Sequence, residues 1–152
     1  MISLSPELLQ DVLDDIVRVG LATGVADVAE SLTSGLKRRI NYVETTASRG
    51  THKPTVLQLE WVDPLMCGGH WVVEMVELAG GIPLFGDKSM GSQVLSWEQV
   101  YQSDPDIILV IPCGFTLERS IKDLEVLCGY KGWNELSAVK NNRLFVLDAA
   151  WY

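Results

Sequence analysis

TVLQLEWVDPLMCGGHW, residues 55–71, decides the reading of this chain. Its first half is a buried strand, with Val56, Leu57 and Leu59 as apolar positions. Its second half is a loop rich in groups that make contact: Trp61, Asp63, Met66, Cys67, His70 and Trp71, with Gly68-Gly69 allowing a sharp turn. Large aromatic and polar side chains at the carboxyl end of a strand, just before a helix, mark the place where open α/β sheets bind ligands.

The rest of the chain alternates in the same way. Val56–Glu60 reads as a strand and Trp71–Ala79 as a helix closed by Gly80-Gly81, with Ile82–Phe85 as a short strand. Ser96–Gln102 is a short helix with Ser96 and Gln99 in capping-box spacing. Asp104-Pro105-Asp106 is a turn, and the apolar run Ile107–Ile111 has the character of a central parallel strand. Thr116–Cys128 is a helix, Trp133–Lys140 a helical segment and Arg143–Leu147 the last strand. This order predicts an α/β fold, a parallel sheet with helices on both faces.

Upstream, residues 5–23 have a helical period, with Ser5 as N-cap, Pro6 in the first turn and Gly24 as the stop. A second helix runs from Ala26 to about Ser48 along Val28, Ala29, Leu32, Leu36, Ile40, Val43 and Ala47. At 1.5 Å per residue it is on the order of 35 Å long. Two roles suit that length: a helix lying across one sheet, or a strut between two lobes. Gly50–Pro54 links it to the first strand.

Composition bounds the function. The 152 residues, 47% of them hydrophobic, suffice for one ordinary core. A net charge of −8 argues against a nucleic-acid partner, because no basic patch is present to neutralise phosphates. No apolar run is long enough for a transmembrane helix, and the first residues do not read as a secretory leader. Three cysteines, Cys67, Cys113 and Cys128, leave at least one unpaired within the chain.

The loops after each strand gather Trp61, Asp63, Met66, Cys67 and His70, then Asp87, Lys88, Met90, Ser92 and Gln93, then Cys113 and Phe115, then Asp148, Trp151 and Tyr152. An edge so rich in aromatics suits a large, flat, partly apolar ligand, although aromatics also pack among themselves. Catalytic signatures are absent: there is no Gly-x-Ser-x-Gly elbow, P-loop or HExxH motif. Cys67 and Cys113 are possible nucleophiles with His70 as the one candidate base, and no activating partner is identifiable. Cys67-x-x-His70 with Cys113, Asp63 or Glu60 offers metal-ligand chemistry, but two adjacent ligands do not fix a metal. Three classes follow: a ligand-binding protein, a metal-binding or Cys/His-dependent enzyme, and a self-associating interaction domain.

The segments PTVLQLEWVDPLMCGGHWVVEMVELAGGIPLFG (54–86), SQVLSWEQVYQSDPDIILVIPCGF (92–115) and RLFVLDAAWY (143–152) resemble the C-terminal lobe of cobalamin-type substrate-binding proteins of ABC importers. These form the helical-backbone class that also takes haem, ferric siderophores and metal ions. LSPELLQDVLDDIVRVGLATG (4–24) resembles the segment preceding the interlobe helix. The resemblance implies that residues 1–50 are a helical segment containing the long backbone helix, which is then a strut. It implies that 51–152 form the C-terminal ligand-binding lobe, with the N-terminal lobe absent and the chain ending early. It implies no enzymatic activity, no cofactor, and cobalamin or a related metal-chelate as ligand. Trp61, Trp71, Phe115, Trp151 and Tyr152 then supply apolar contact, Asp63, Ser92 and His70 polar contact, and Met66 and Cys113 lie with Cys67 in the ligand-facing loops. Glu98, in SWEQV, falls on the glutamate that docks on the ABC permease. Near Ser92 some members carry a tryptophan that stacks on the corrin, and this sequence departs from them. The implied location is periplasmic or at the cell surface. The lack of a visible leader leaves the cytoplasm open, and a lone lobe with an uncovered apolar edge is expected to form a homodimer.

Overall fold

The structure is a computed structural model that describes residues 2–148. Two helices, α1 (Leu9–Thr23) and α2 (Ala26–Ala47), form an antiparallel hairpin. An added Cβ at Gly20 would overlap that of Ala29, so this glycine lets the two helices meet closely. Gly24, at φ 77°, ends α1 in the left-handed region. With 22 residues, α2 is about 33 Å long.

The start of α1 differs from the sequence reading. The helix begins at Leu9, and Ser5 does not cap it. Instead Asp11 reaches back and its Oδ2 accepts the N–H groups of Glu7 (3.1 Å) and Leu8 (2.8 Å). The Leu9 N–H donates to Glu74 Oε2 of the third helix at 2.7 Å. Two carboxylates thus take three amides at the positive end of the helix, the work a serine cap was expected to share. Those bonds to Leu8 and Glu7 also hold the Asp11 carboxyl below its ordinary pKa.

Among the described residues the sheet has six strands in the order β4-β2-β1-β5-β6, with β3 pairing β1 beside this path. They are β1 (Thr55–Val62), β2 (Leu65–Cys67), β3 (Ile82–Pro83), β4 (Gln93–Val94), β5 (Ile107–Val110) and β6 (Leu144–Val146). β1, β3, β5 and β6 are parallel, as the alternation of strands and helices predicts. β2 pairs antiparallel with both β1 and β4, so the sheet is mixed. The stretch read as one long loop therefore contains a tight return at Asp63-Pro64, whose peptide bond is cis, and a short strand. Periodicity missed β2 and β4 because strands of three and two residues have no room to show an alternation.

α3 (Trp71–Leu78), α4 (Trp97–Ser103), α5 (Leu117–Cys128) and α6 (Ser137–Lys140), with a 3₁₀ turn at Trp133–Glu135, complete the fold. Side chains alternate across β1. Leu57 and Leu59 face a core with Ile108, Val110, Leu127, Trp133 and Leu136, all almost fully buried. On the opposite face Val56 lies near Val76 of α3 at the close approach of Gly81. Helices therefore cover both faces. Gln58 is fully buried in β1, and its Nε2 donates to the Phe85 carbonyl at 2.6 Å, tying the turn after β3 to the central strand. Among the described residues no helix is long and apolar enough to cross a membrane.

Candidate ligand-binding site

β1 and β5 are adjacent and parallel, so the chain leaves both at the same end of the sheet. β1 runs two residues further than its apolar run suggests, with an irregularity between Leu59 and Trp61, and leaves Trp61 exposed. After β5, Ile111 N–H still bonds the Leu59 carbonyl at 2.8 Å, and the chain turns through Gly114, at φ 75°, to Phe115. Thr116 then caps α5. These two exits bring the Trp61 and Phe115 rings to 5.1 Å in an edge-to-face arrangement with an interplanar angle of 82°. Such a pair contributes about 0.5–1.5 kcal/mol beyond its buried area. On the Phe115 ring lies the guanidinium of Arg119, with Cζ 4.8 Å from the centroid.

A second group forms where β2 and β3 meet along the same edge of β1. Gly68 N–H donates to the Gln58 carbonyl at 3.1 Å. His70 N–H is shared between the carbonyls of Asp87 and Met90, both at 3.1 Å. A Cβ at Gly69 would overlap the Met90 carbonyl oxygen, and one at Gly86, at φ 93°, would overlap that of Gly68. The two loops can lie this close only as backbone on backbone. His70 adopts φ 50°, unusual for a side-chain-bearing residue, and its ring stacks with Trp71 at 6.2 Å. Its Nδ1 is buried without a hydrogen-bond partner among the described residues. Ser92 Oγ donates to Glu60 Oε2, and Glu60 precedes Trp61 in β1, so this bond links the second group to the aromatic pair. Asp87 takes both the N–H and the hydroxyl of Ser89 at 2.7 Å, which holds its carboxyl below the usual range and stiffens the loop.

The expected site residues separate accordingly. Trp61 and Phe115 are in contact. His70 and Trp71 lie together in the second group, and Ser92, in the loop that clasps His70, bonds Glu60 beside Trp61. Asp63 is exposed in the turn after β1, Met66 is half-buried opposite Trp61, and Cys113 is exposed before Gly114. Cys67 is a correction: it is fully buried in β2 within the main core, where burial pushes its thiol pKa up. A thiol with no accessible surface cannot touch a ligand. No cluster of three or more His, Cys, Asp or Glu placed to hold a metal occurs among the described residues. Trp151 and Tyr152 lie outside the described residues. Glu98 is exposed in the first turn of α4, where its Oε1 accepts from Gln102 Nε2. α4 carries the expected capping box, with Ser96 and Gln99 bonding reciprocally. It is anchored by Trp97, which stacks on Tyr130 at 4.7 Å and donates from Nε1 to the Lys131 carbonyl at 2.9 Å. Sequence reasoning passed over Arg119. The available signal was its position four residues after Phe115, in the first turn of a helix, where a cation opposes the helix dipole.

The Periplasmic binding protein family model matches residues 2–150. A vitamin B12-binding protein from Vibrio cholerae serotype O1 is 26% identical over 145 residues, covering 94% of this chain and 49% of the relative. An ABC transporter substrate-binding protein from Listeria monocytogenes EGD-e superimposes with a TM-score of 0.77 at 26% identity, covering 95% of this chain and 57% of that one. A periplasmic haem-binding protein from Roseiflexus sp. RS-1 gives 0.77 at 26% identity, with 96% and 56% coverage. The chain thus spans about half the length of these relatives. With a family match over nearly all of its residues and the same fold in binding proteins of transport systems, the chain belongs to the periplasmic binding protein family.

Proposed function

We propose that this chain is the ligand-binding lobe of an ABC-importer substrate-binding protein, that its ligand is cobalamin or a related metal-chelate such as haem or a ferric siderophore, and that it works without chemistry. The observation that carries the reading is the edge-to-face pair of Trp61 and Phe115 at the exit of two adjacent parallel strands. The exposed Trp61 ring, braced by the half-buried Phe115, offers a rigid apolar surface to a flat ligand. Trp71 extends the apolar contact, and Asp63, Ser92 and the His70 imidazole supply polar contacts at the rim. The vitamin B12-binding and haem-binding relatives support a chelate as the ligand class. In this reading residues 1–50 carry the connecting helix, residues 51–152 the lobe, and Glu98 docks on the permease. The relatives lend no support to a homodimer, and none is proposed.

Titration of the protein with cobalamin, haem and a ferric siderophore, followed by quenching of tryptophan fluorescence, tests the reading. Saturable binding of at least one is expected. Absence of binding to all three removes it.

A further inference from the structure

Arg119 occupies a position that the helix it sits on does not favour. It is the third residue of α5 after the Thr116 cap, inside the positive end of the helix dipole. Its i+4 partner is Asp123, so the cation precedes the anion along the helix, the weaker of the two orders. One residue earlier, Glu118 and Lys122 pair in the stronger order. Local helix stability therefore explains Lys122 and does not explain Arg119.

The contacts of Arg119 fix the guanidinium and leave it open outward. Nε donates to Asp123 Oδ1 at 3.1 Å, and the Asp123 side chain is largely covered. The guanidinium lies against Phe115, which meets Trp61 edge-on. The Arg119 side chain remains 59% exposed, and only Nε is engaged among the described residues. The two terminal nitrogens, four N–H donors in a rigid plane, are held at the margin of the aromatic pair. We infer that Arg119 is a specificity-determining residue that takes a peripheral oxyanion of the ligand, a carboxylate or a phosphodiester, while Trp61 and Phe115 cover its flat face.

Planar bidentate acceptance of an oxyanion is what a pre-positioned guanidinium does best. The surroundings sharpen the inference. Asp63 follows Trp61, and Asp148 accepts the Leu117 N–H at 3.0 Å beside the start of α5. With these carboxylates on the loops of the edge and Lys122 paired to Glu118, Arg119 is the cation laid directly against the aromatic pair. The ligand it suits carries one or two peripheral oxyanions rather than many.

This inference rests on the binding reading above, and the test separates the two. Tryptophan quenching is measured for the wild-type chain, Arg119→Gln and Arg119→Lys against haem and its dimethyl ester, against cobalamin and cobinamide, which lacks the nucleotide loop and with it the phosphodiester, and against a neutral ferric hydroxamate. Haem reports the carboxylate and cobalamin the phosphodiester. For whichever acidic member binds, Arg119→Gln is expected to weaken it about tenfold or more, the scale of one charge-assisted hydrogen bond. The counterpart without the oxyanion is expected to stay within about twofold, and Arg119→Lys to recover part of the loss because it restores the charge without the fork. Unchanged far-UV circular dichroism shows that the variants fold. Equal weakening of both members of a pair would mean that Arg119 only supports Phe115, and would overturn the inference. So would an unchanged affinity for the acidic member, or wild-type binding confined to a neutral ferric hydroxamate. If the wild-type chain binds none of these chelates, the binding reading itself fails and this inference goes with it.

Discussion

Gly69→Ala tests the backbone clasp that builds the second half of the site. The added methyl would overlap the Met90 carbonyl oxygen and lie 2.7 Å from that of Gly91, both backbone atoms that cannot rotate away. Relief requires the 86–91 loop to move off by about 1 Å, an overpacking cost of about 1–3 kcal/mol. The same movement breaks the bonds from His70 N–H to Asp87 and Met90, with a net loss of about 0.5–1.5 kcal/mol. The sum is about 1.5–4.5 kcal/mol, or a fall in Tm of about 3–18 °C for a chain of this size. Gly91→Ala is the matched control. Its Cβ would meet only His70 Nε2 at 3.5 Å, an ordinary contact, so its effect should stay within about 0.5 kcal/mol. Urea unfolding followed by circular dichroism measures both. If Gly69→Ala unfolds within 0.5 kcal/mol of wild type, or Gly91→Ala costs as much, the close approach of the two loops is not what holds His70 in place.

Three further outcomes are expected. Leu57→Ala, at a fully buried position in the central strand, should destabilise the fold by about 2–5 kcal/mol in urea unfolding, and a loss below 1 kcal/mol would contradict its place in the core. Asp106 accepts the N–H and hydroxyl of Thr55 and Asp104 those of Ser137, and these bonds hold both carboxyls below their ordinary value of 3.8. Depressed folded-state values mean that this stabilisation is present above pH 3.8 and is lost as pH falls below it, so unfolding curves from pH 5 to 2 should steepen in that window for wild type and less for Asp106→Asn. Glu98→Ala should leave ligand affinity within about twofold while lowering uptake by the assembled importer, since Glu98 is exposed and its carboxylate accepts only a hydrogen bond from Gln102 of its own helix among the described residues; a tenfold loss of affinity would place Glu98 at the ligand instead.

How much of this was legible depended on the range over which each signal acts. β1 and β5 announced themselves because a central strand is buried on both faces, and Val56, Leu57 and Leu59 of β1 with Ile108 and Val110 of β5 are buried apolar residues. The α4 cap was legible because Ser96 and Gln99 satisfy each other across three residues. The start of α1 was not, because its caps come from Asp11 inside the helix and from Glu74, which is 65 residues away in sequence. Cys67 was misplaced for a related reason. Only the pairing of β2 with β1 turns it into the core, and that register is set by a two-residue return which composition cannot locate.

The aromatic edge lies between these cases. Phe115 and Trp61 could be assigned to the same end of the sheet from strand order alone, because parallel neighbours share their exits. Their contact, and the guanidinium laid upon it, depend on the turn through Gly114 and on the first turn of α5. Arg119 is the instructive residue, since a cation in the first turn of a helix runs against the local rule. A residue that breaks a local rule without a local gain points to a demand from outside the helix. Asp123 and Phe115 hold the side chain in place without using its outer nitrogens, so the demand falls on whatever reaches those nitrogens from the ligand side.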